Sequence, residues 1–146
     1  MAGNQRLLIV FYALVSLAAL FATWSQNLAY TGGGMLGAFQ AFVQETRVNP
    51  ASRSITVDIG FFLLAASAFM VIEARRLGVR FVWLYILFGF LIAISVTFPL
   101  FMIARELRLG PAAAKPDAPW SLTATDVLGL VLVAAVVLSL TWFVLA

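Results

Sequence analysis

Four stretches of the chain stay apolar for long enough to cross a bilayer: residues 7–25, 54–74, 81–104 and 120–146. About 20 residues at roughly 1.5 Å rise cover a hydrocarbon core of about 30 Å. The middle two flank a short basic turn, Arg75-Arg76-Leu77-Gly78-Val79-Arg80, and read as a helical hairpin. Between the first two, Met35, Leu36, Phe39, Phe42 and Val43 recur at helical spacing, with Gln40, Gln44 and Glu45 opposite. That spacing fits a short amphipathic helix over 35–45 in the plane of the interface, or a loop segment packed over the end of the bundle. The pattern predicts an all-α integral membrane protein. Its four transmembrane helices form an antiparallel bundle, with a short interfacial helix between the first and second.

The breakers between these runs set the boundaries. Asn27, Tyr30 and Gly32-Gly33-Gly34 end the first helix, Asn49-Pro50 closes the amphipathic segment, and Ser54 or Thr56 is placed to cap the second span. Trp24, Trp83 and Tyr85 sit where interfacial aromatics belong. Pro99, near the end of the third span, removes a backbone donor and frees the Ser95 carbonyl, which predicts a kink there. Ala18/Ala22, Gly89/Ala93 and Ala135/Ser139 are small-xxx-small pairs that would permit close helix approach. Residues 1–108 then form a three-helix core and 109–119 a Pro/Ala-rich linker. The fourth helix, 120–146, opens on Trp120, Ser121 and a capping-box-like Thr123-x-x-Asp126. A basic start at Arg6 before an apolar run can also mark a signal peptide. The run reaches Trp24 without a small-residue cleavage site, which favours a retained helix.

Composition narrows the chemistry. The 146 residues are 64% hydrophobic and 10% charged, against about 25% charged in a soluble domain. There is no cysteine and no histidine, which excludes disulfides, His-ligated haem, zinc sites built on His or Cys, and His-dependent triads. No metal site and no cofactor is expected. The net charge of +3 sits beside the apolar runs as a topology signal and forms no nucleic-acid face. The expected partners are the bilayer and either other membrane subunits or further copies of the chain. In a four-crossing bundle, Arg6 and the arginine turn share one side, and Arg47, Arg53, Arg105, Arg108 and Lys115 the other. Short loops weigh more, so both termini are expected on the cytoplasmic side.

Asp58 and Glu73 are the acids that could carry chemistry. Fifteen positions on one helix separate them by about 22 Å, so they cannot act as a carboxylate pair. In an antiparallel hairpin Asp58 lies level with Pro99 and Arg105, and Glu73 level with Arg6 and Arg76. One reading makes these two interface ion pairs, Asp58 with Arg105 and Glu73 with Arg6 or Arg76. The other makes Asp58 a proton donor in a polar pocket with Tyr30, Ser95, Thr97 and the carbonyl freed near Pro99. Ser95 and Thr97 cannot both face it, being about 200° apart around the helix.

The pieces Asp58…Glu73-Ala74-Arg75-Arg76-Leu77-Gly78, Trp83-x-Tyr85 and Phe98-Pro99-Leu100-Phe101…Arg105-Glu106 resemble a bacterial family of small membrane proteins, domain of unknown function 2834. The resemblance covers about residues 7–108 and leaves the last span as an addition. It implies a bacterial cytoplasmic membrane and marks Asp58, Glu73, Pro99 and Arg105 for testing, but it supplies no mechanism. Three functions fit the residues. The first is a non-catalytic accessory or assembly subunit of a larger membrane complex. The second is a membrane-embedded enzyme or binding protein for an apolar isoprenoid-type lipid, using Asp58 or Glu73 as the acid. The third is a small transporter or channel subunit.

Overall fold

The computed structural model describes residues 3–112 and 122–146. Its elements are α1 (Gly3–Asn27), a 3-10 turn (Leu28–Gly33), α2 (Gly34–Glu45), α3 (Pro50–Leu77), α4 (Val82–Phe88), a π-helical segment (Gly89–Ala93), α5 (Ile94–Ala112) and α6 (Ala124–Leu145). Four helical segments are long and apolar enough to cross a membrane: Gln5–Gly33, Pro50–Leu77, Val82–Leu109 and Ala124–Leu145. The chain is an all-α bundle of membrane-spanning length, with α2 as the short helix between the first two segments. The linker positions 113–119, Trp120 and Ser121 lie outside the described residues.

Helix ends follow local chemistry, in one place against expectation. Asn49-Pro50 opens α3 rather than closing the preceding segment. The Asn49 side chain accepts from the Ser52 N–H at 2.9 Å, and proline at the first helical position lacks a donor that would be orphaned anyway. Ser54 and Thr56 therefore lie inside the helix, where Thr56 donates to the Ser52 carbonyl at 2.8 Å. Gly78 closes α3 in the left-handed conformation (φ 67°), and the Val79 N–H reaches back to the Ala74 carbonyl at 3.0 Å. At the start of α6 the Thr123–Asp126 capping box forms in both directions.

The third apolar segment does not run straight. The rings of Tyr85 and Phe101 lie 5.6 Å apart, whereas 16 residues of continuous helix would separate them by about 24 Å. A Cβ at Gly89 would sit 3.2 Å from Thr97 Oγ1, again impossible along a straight helix. The chain therefore doubles back through Gly89–Ala93. α4 descends antiparallel to α3, and α5 returns parallel to it. Phe98 packs against Phe62 and Phe69 (6.2 and 6.0 Å), and seven residues later Arg105 meets Glu73, so positions on both helices advance together. The break thus falls at Gly89–Ala93 rather than at Pro99, which is buried within a continuous α5.

Side-chain size explains the reversal. Gly89 is buried, and a Cβ there would also press on Leu63 and Ile94 at 3.2 and 3.3 Å, so the missing side chain lets the two arms and α3 close up. A shared core of Leu63, Ala66, Met70, Val71 and Ala74 on α3 meets Val82, Ile86, Ile94 and Phe101 on the hairpin. Trp83 and Tyr85, expected as interfacial anchors, pack against this core instead. Of the small-residue pairs only Gly89/Ala93 takes part in a helix contact of this kind; Ala18, Ala22, Ala135 and Ser139 are exposed.

The remaining helices take their direction from this frame. α1 runs antiparallel to α5, with Gln5 on the Glu106 carbonyl and Ser16 donating to the Val96 carbonyl at 3.0 Å. α6 runs antiparallel to α3, with Asp126 on Arg75 and Val137 beside Gly60. The start of α1, the end of α3, the end of α5 and the start of α6 therefore share one end of the bundle, here termed the arginine end. α6 finishes at the other end, where the Arg47 guanidinium lies 4.4 Å over the Phe143 ring. Gln5 and Leu145 thus lie at opposite ends of the bundle.

Among the described glycines the tightest approach is at Gly129 on α6, where a Cβ would overlap the Trp83 indole. Gly129→Ala should lower stability in mild detergent by about 1–3 kcal/mol, read as a shift in the unfolding midpoint. In a Trp83→Ala background the same substitution should cost little, because the two changes act on one contact.

Candidate functional site

Three acids are buried at the arginine end, Glu73 (5% exposed), Glu106 (7%) and Asp126 (0%), and each meets an arginine. The last turn of α3 sends successive side chains to different neighbours because each step turns the helix by about 100°. Arg75 points at α6 and holds the Asp126 carboxylate through two guanidinium nitrogens, with Nε to Oδ2 at 2.7 Å. Asp126 Oδ2 also accepts from the Thr123 N–H at 2.9 Å and the Thr123 hydroxyl at 2.8 Å. This fully donor-wrapped carboxylate fixes the first turn of α6 to the last turn of α3.

Glu73 points the other way. Its carboxylate accepts from Arg76 Nη1 at 2.9 Å and from Arg105 Nε at 2.7 Å. Arg105 then reaches the Glu106 carboxylate at 3.0 Å, and Gln5 of α1 donates to the Glu106 backbone carbonyl. The network joins α1, α3 and α5, and Asp126 joins α6. Its chemistry is that of a clasp, since each acid is committed to guanidinium donors.

The expected pairings redistribute accordingly. Arg105 serves Glu73 and Glu106 rather than Asp58, because the reversal carries it to the arginine end, about 20 Å along the α3 axis from Asp58. Arg6 is exposed and does not join Glu73. Asp58 is exposed on α3 and makes no ion pair among the described residues. The polar pocket does not assemble around it: Ser95 is exposed, Thr97 is buried against Gly89, and Tyr30 stacks edge-on with Phe42 at 5.8 Å. The Arg75–Asp126 tie escaped sequence reasoning, which saw Asp126 only as a cap. The available signal was an acid in the first turn of an otherwise uncharged span.

Two surfaces surround the clasp and its opposite pole. At the arginine end, a shallow depression of about 490 Å³ lies under the turn, lined by Ala74, Arg75, Gly78, Val79, Arg80, Phe81, Val82 and Trp83. Phe81 holds a left-handed backbone (φ 61°), and the residue is 73% exposed. In the other half of the bundle, Asp58 lies among exposed Ile55, Ile59, Phe61 and Phe62. Trp24 Nε1 and Arg53 Nε are buried there without an acceptor among the described residues. No group of acids that could hold a metal ion occurs among the described residues.

Loss of either partner of the α3–α6 tie should be unequal in cost. Arg75→Met leaves the fully buried Asp126 unpaired and should cost about 3 kcal/mol or more. Asp126→Asn leaves a guanidinium that is 35% exposed and can turn to water, so it should cost about 1 kcal/mol. Thermal unfolding of both variants in one detergent checks the order.

No curated protein and no solved structure matches the chain. A family model matches residues 11–107, about two thirds of the chain, from within α1 to the end of the clasp on α5, and leaves α6 outside. The motif pieces fall on the clasp and the hairpin: Glu73, Arg75, Arg76 and Gly78 at the end of α3, Phe98 and Phe101 in the α5 core, and Arg105-Glu106 closing the network. The chain belongs to the family described as Protein of unknown function DUF2834.

Proposed function

We propose that this multi-pass membrane protein is a non-catalytic subunit of a larger membrane assembly, and that its partner seats on the half of the bundle opposite the arginine end. The observation that carries this reading is Asp58. A carboxylate with no ion pair among the described residues, set nine residues into a span and among exposed apolar side chains, is costly in lipid and calls for a polar or cationic partner. The acceptor-less Trp24 and Arg53 donors in the same half of the bundle support it. The hairpin reversal adds space, because α4 and α5 meet at mid-height and leave the far half of α1 and α3 without that packing partner. The buried acids are spent on fastening helices, which argues against Glu73 as a reacting group.

The same reading places the protein in the cytoplasmic membrane of a bacterium with the arginine end inside. Arg6, Arg75, Arg76, Arg80, Arg105 and Arg108 gather there against three acids, whereas Arg47 and Arg53 at the other end are balanced by Glu45 and Asp58. Such a bias orients a membrane protein toward the cytoplasm.

A mild-detergent pull-down of the tagged chain, with proteins and extracted lipids identified by mass spectrometry, tests the proposal. A stoichiometric membrane-protein partner should copurify and be lost in Asp58→Lys, with the variant eluting as a folded monomer. A lone chain carrying one enriched isoprenoid lipid that disappears in Asp58→Asn would overturn the subunit reading in favour of the lipid enzyme or binding protein.

A further inference from the structure

We propose that the depression under the Gly78–Phe81 turn is a binding site for the headgroup of an anionic phospholipid. Its lining pairs two chemistries that such a lipid presents at one depth. Arg80 is exposed and makes no ion pair among the described residues, so its guanidinium is free for a phosphate diester. Arg75 gives Nε and Nη2 to Asp126 and also lines the depression, so its charge stands beside that of Arg80. Val79, Phe81, Val82 and Trp83 supply an apolar wall for the glycerol and the upper acyl chain.

Two independent features point to lipid rather than to a free anion. The backbone at Phe81 adopts a conformation that bulky residues rarely take, and the outcome is a large ring held outward at the end of the apolar span. An inorganic ion has no use for that ring, whereas a lipid at the interface does. The net surplus of arginine over acid at this end complements an anionic leaflet, and the balanced opposite end does not. Turn, ring and charge therefore converge on one amphipathic ligand.

The test uses the full chain in nanodiscs and native mass spectrometry. Phosphatidylglycerol should be retained over phosphatidylcholine, and Arg80→Gln should reduce that retention roughly ten-fold, the loss expected for one charge-assisted hydrogen bond to the phosphate. Arg108→Gln removes the same charge from the same end without touching the depression and should leave retention near wild type. Phe81→Ala should weaken retention of the lipid but not of glycerol phosphate. Equal retention of the two lipids, or equal loss in Arg80→Gln and Arg108→Gln, would overturn the site. Complete displacement of phosphatidylglycerol by millimolar inorganic phosphate would make it an anion site and overturn the lipid assignment.

Discussion

The bundle depends on three buried carboxylates held by arginines at one end. Charges in a low-dielectric setting are tolerated only when paired and hydrogen-bonded, so Glu73, Glu106 and Asp126 can sit where they do only if Arg75, Arg76 and Arg105 arrive beside them. That requirement fixes which helix ends meet. With the C-terminal end of α5 brought level with that of α3, the chain between them must turn back, and Gly89–Ala93 is where it does so. The clasp and the reversal are one constraint seen at two places.

Lipid gives apolar faces little reason to seek each other, so helix association in a membrane rests on close packing and on polar ties. Both are present here. The arginine end carries the charged ties together with the Gly129–Trp83 contact, and the close contact at Gly89 lies deeper in the bundle. Among the described residues the opposite half carries no ion pair, and its exposed Ile55, Ile59, Phe61 and Phe62 surround Asp58.

Apolar run length made the four helical segments legible from the sequence, and helical spacing made α2 legible, because both depend on local periodicity. The Thr123–Asp126 cap was legible for the same reason. The reversal was not. Nothing in Gly89-Phe90-Leu91-Ile92-Ala93 differs from an ordinary spanning run, and Pro99 offered a more obvious place for a break. Its location is decided by a missing Cβ packing against Leu63, Thr97 and Ile94, which only the fold brings together. An α5 antiparallel to α3 would put Arg105 beside Asp58 instead of Glu73, whereas the Glu73–Arg76 pair, set by i,i+3 spacing on one helix, was legible from the sequence.

The absence of cysteine from the chain permits a direct measurement of that geometry. Single substitutions Arg80→Cys, Arg108→Cys and Val48→Cys, placed in turn in the full chain, can be labelled with a membrane-impermeant maleimide before and after permeabilisation. Positions 80 and 108 should label from the same side and position 48 from the other. Labelling of 80 and 108 from opposite sides would mean that residues 82–109 cross straight through, and would contradict the reversal and the clasp built on it.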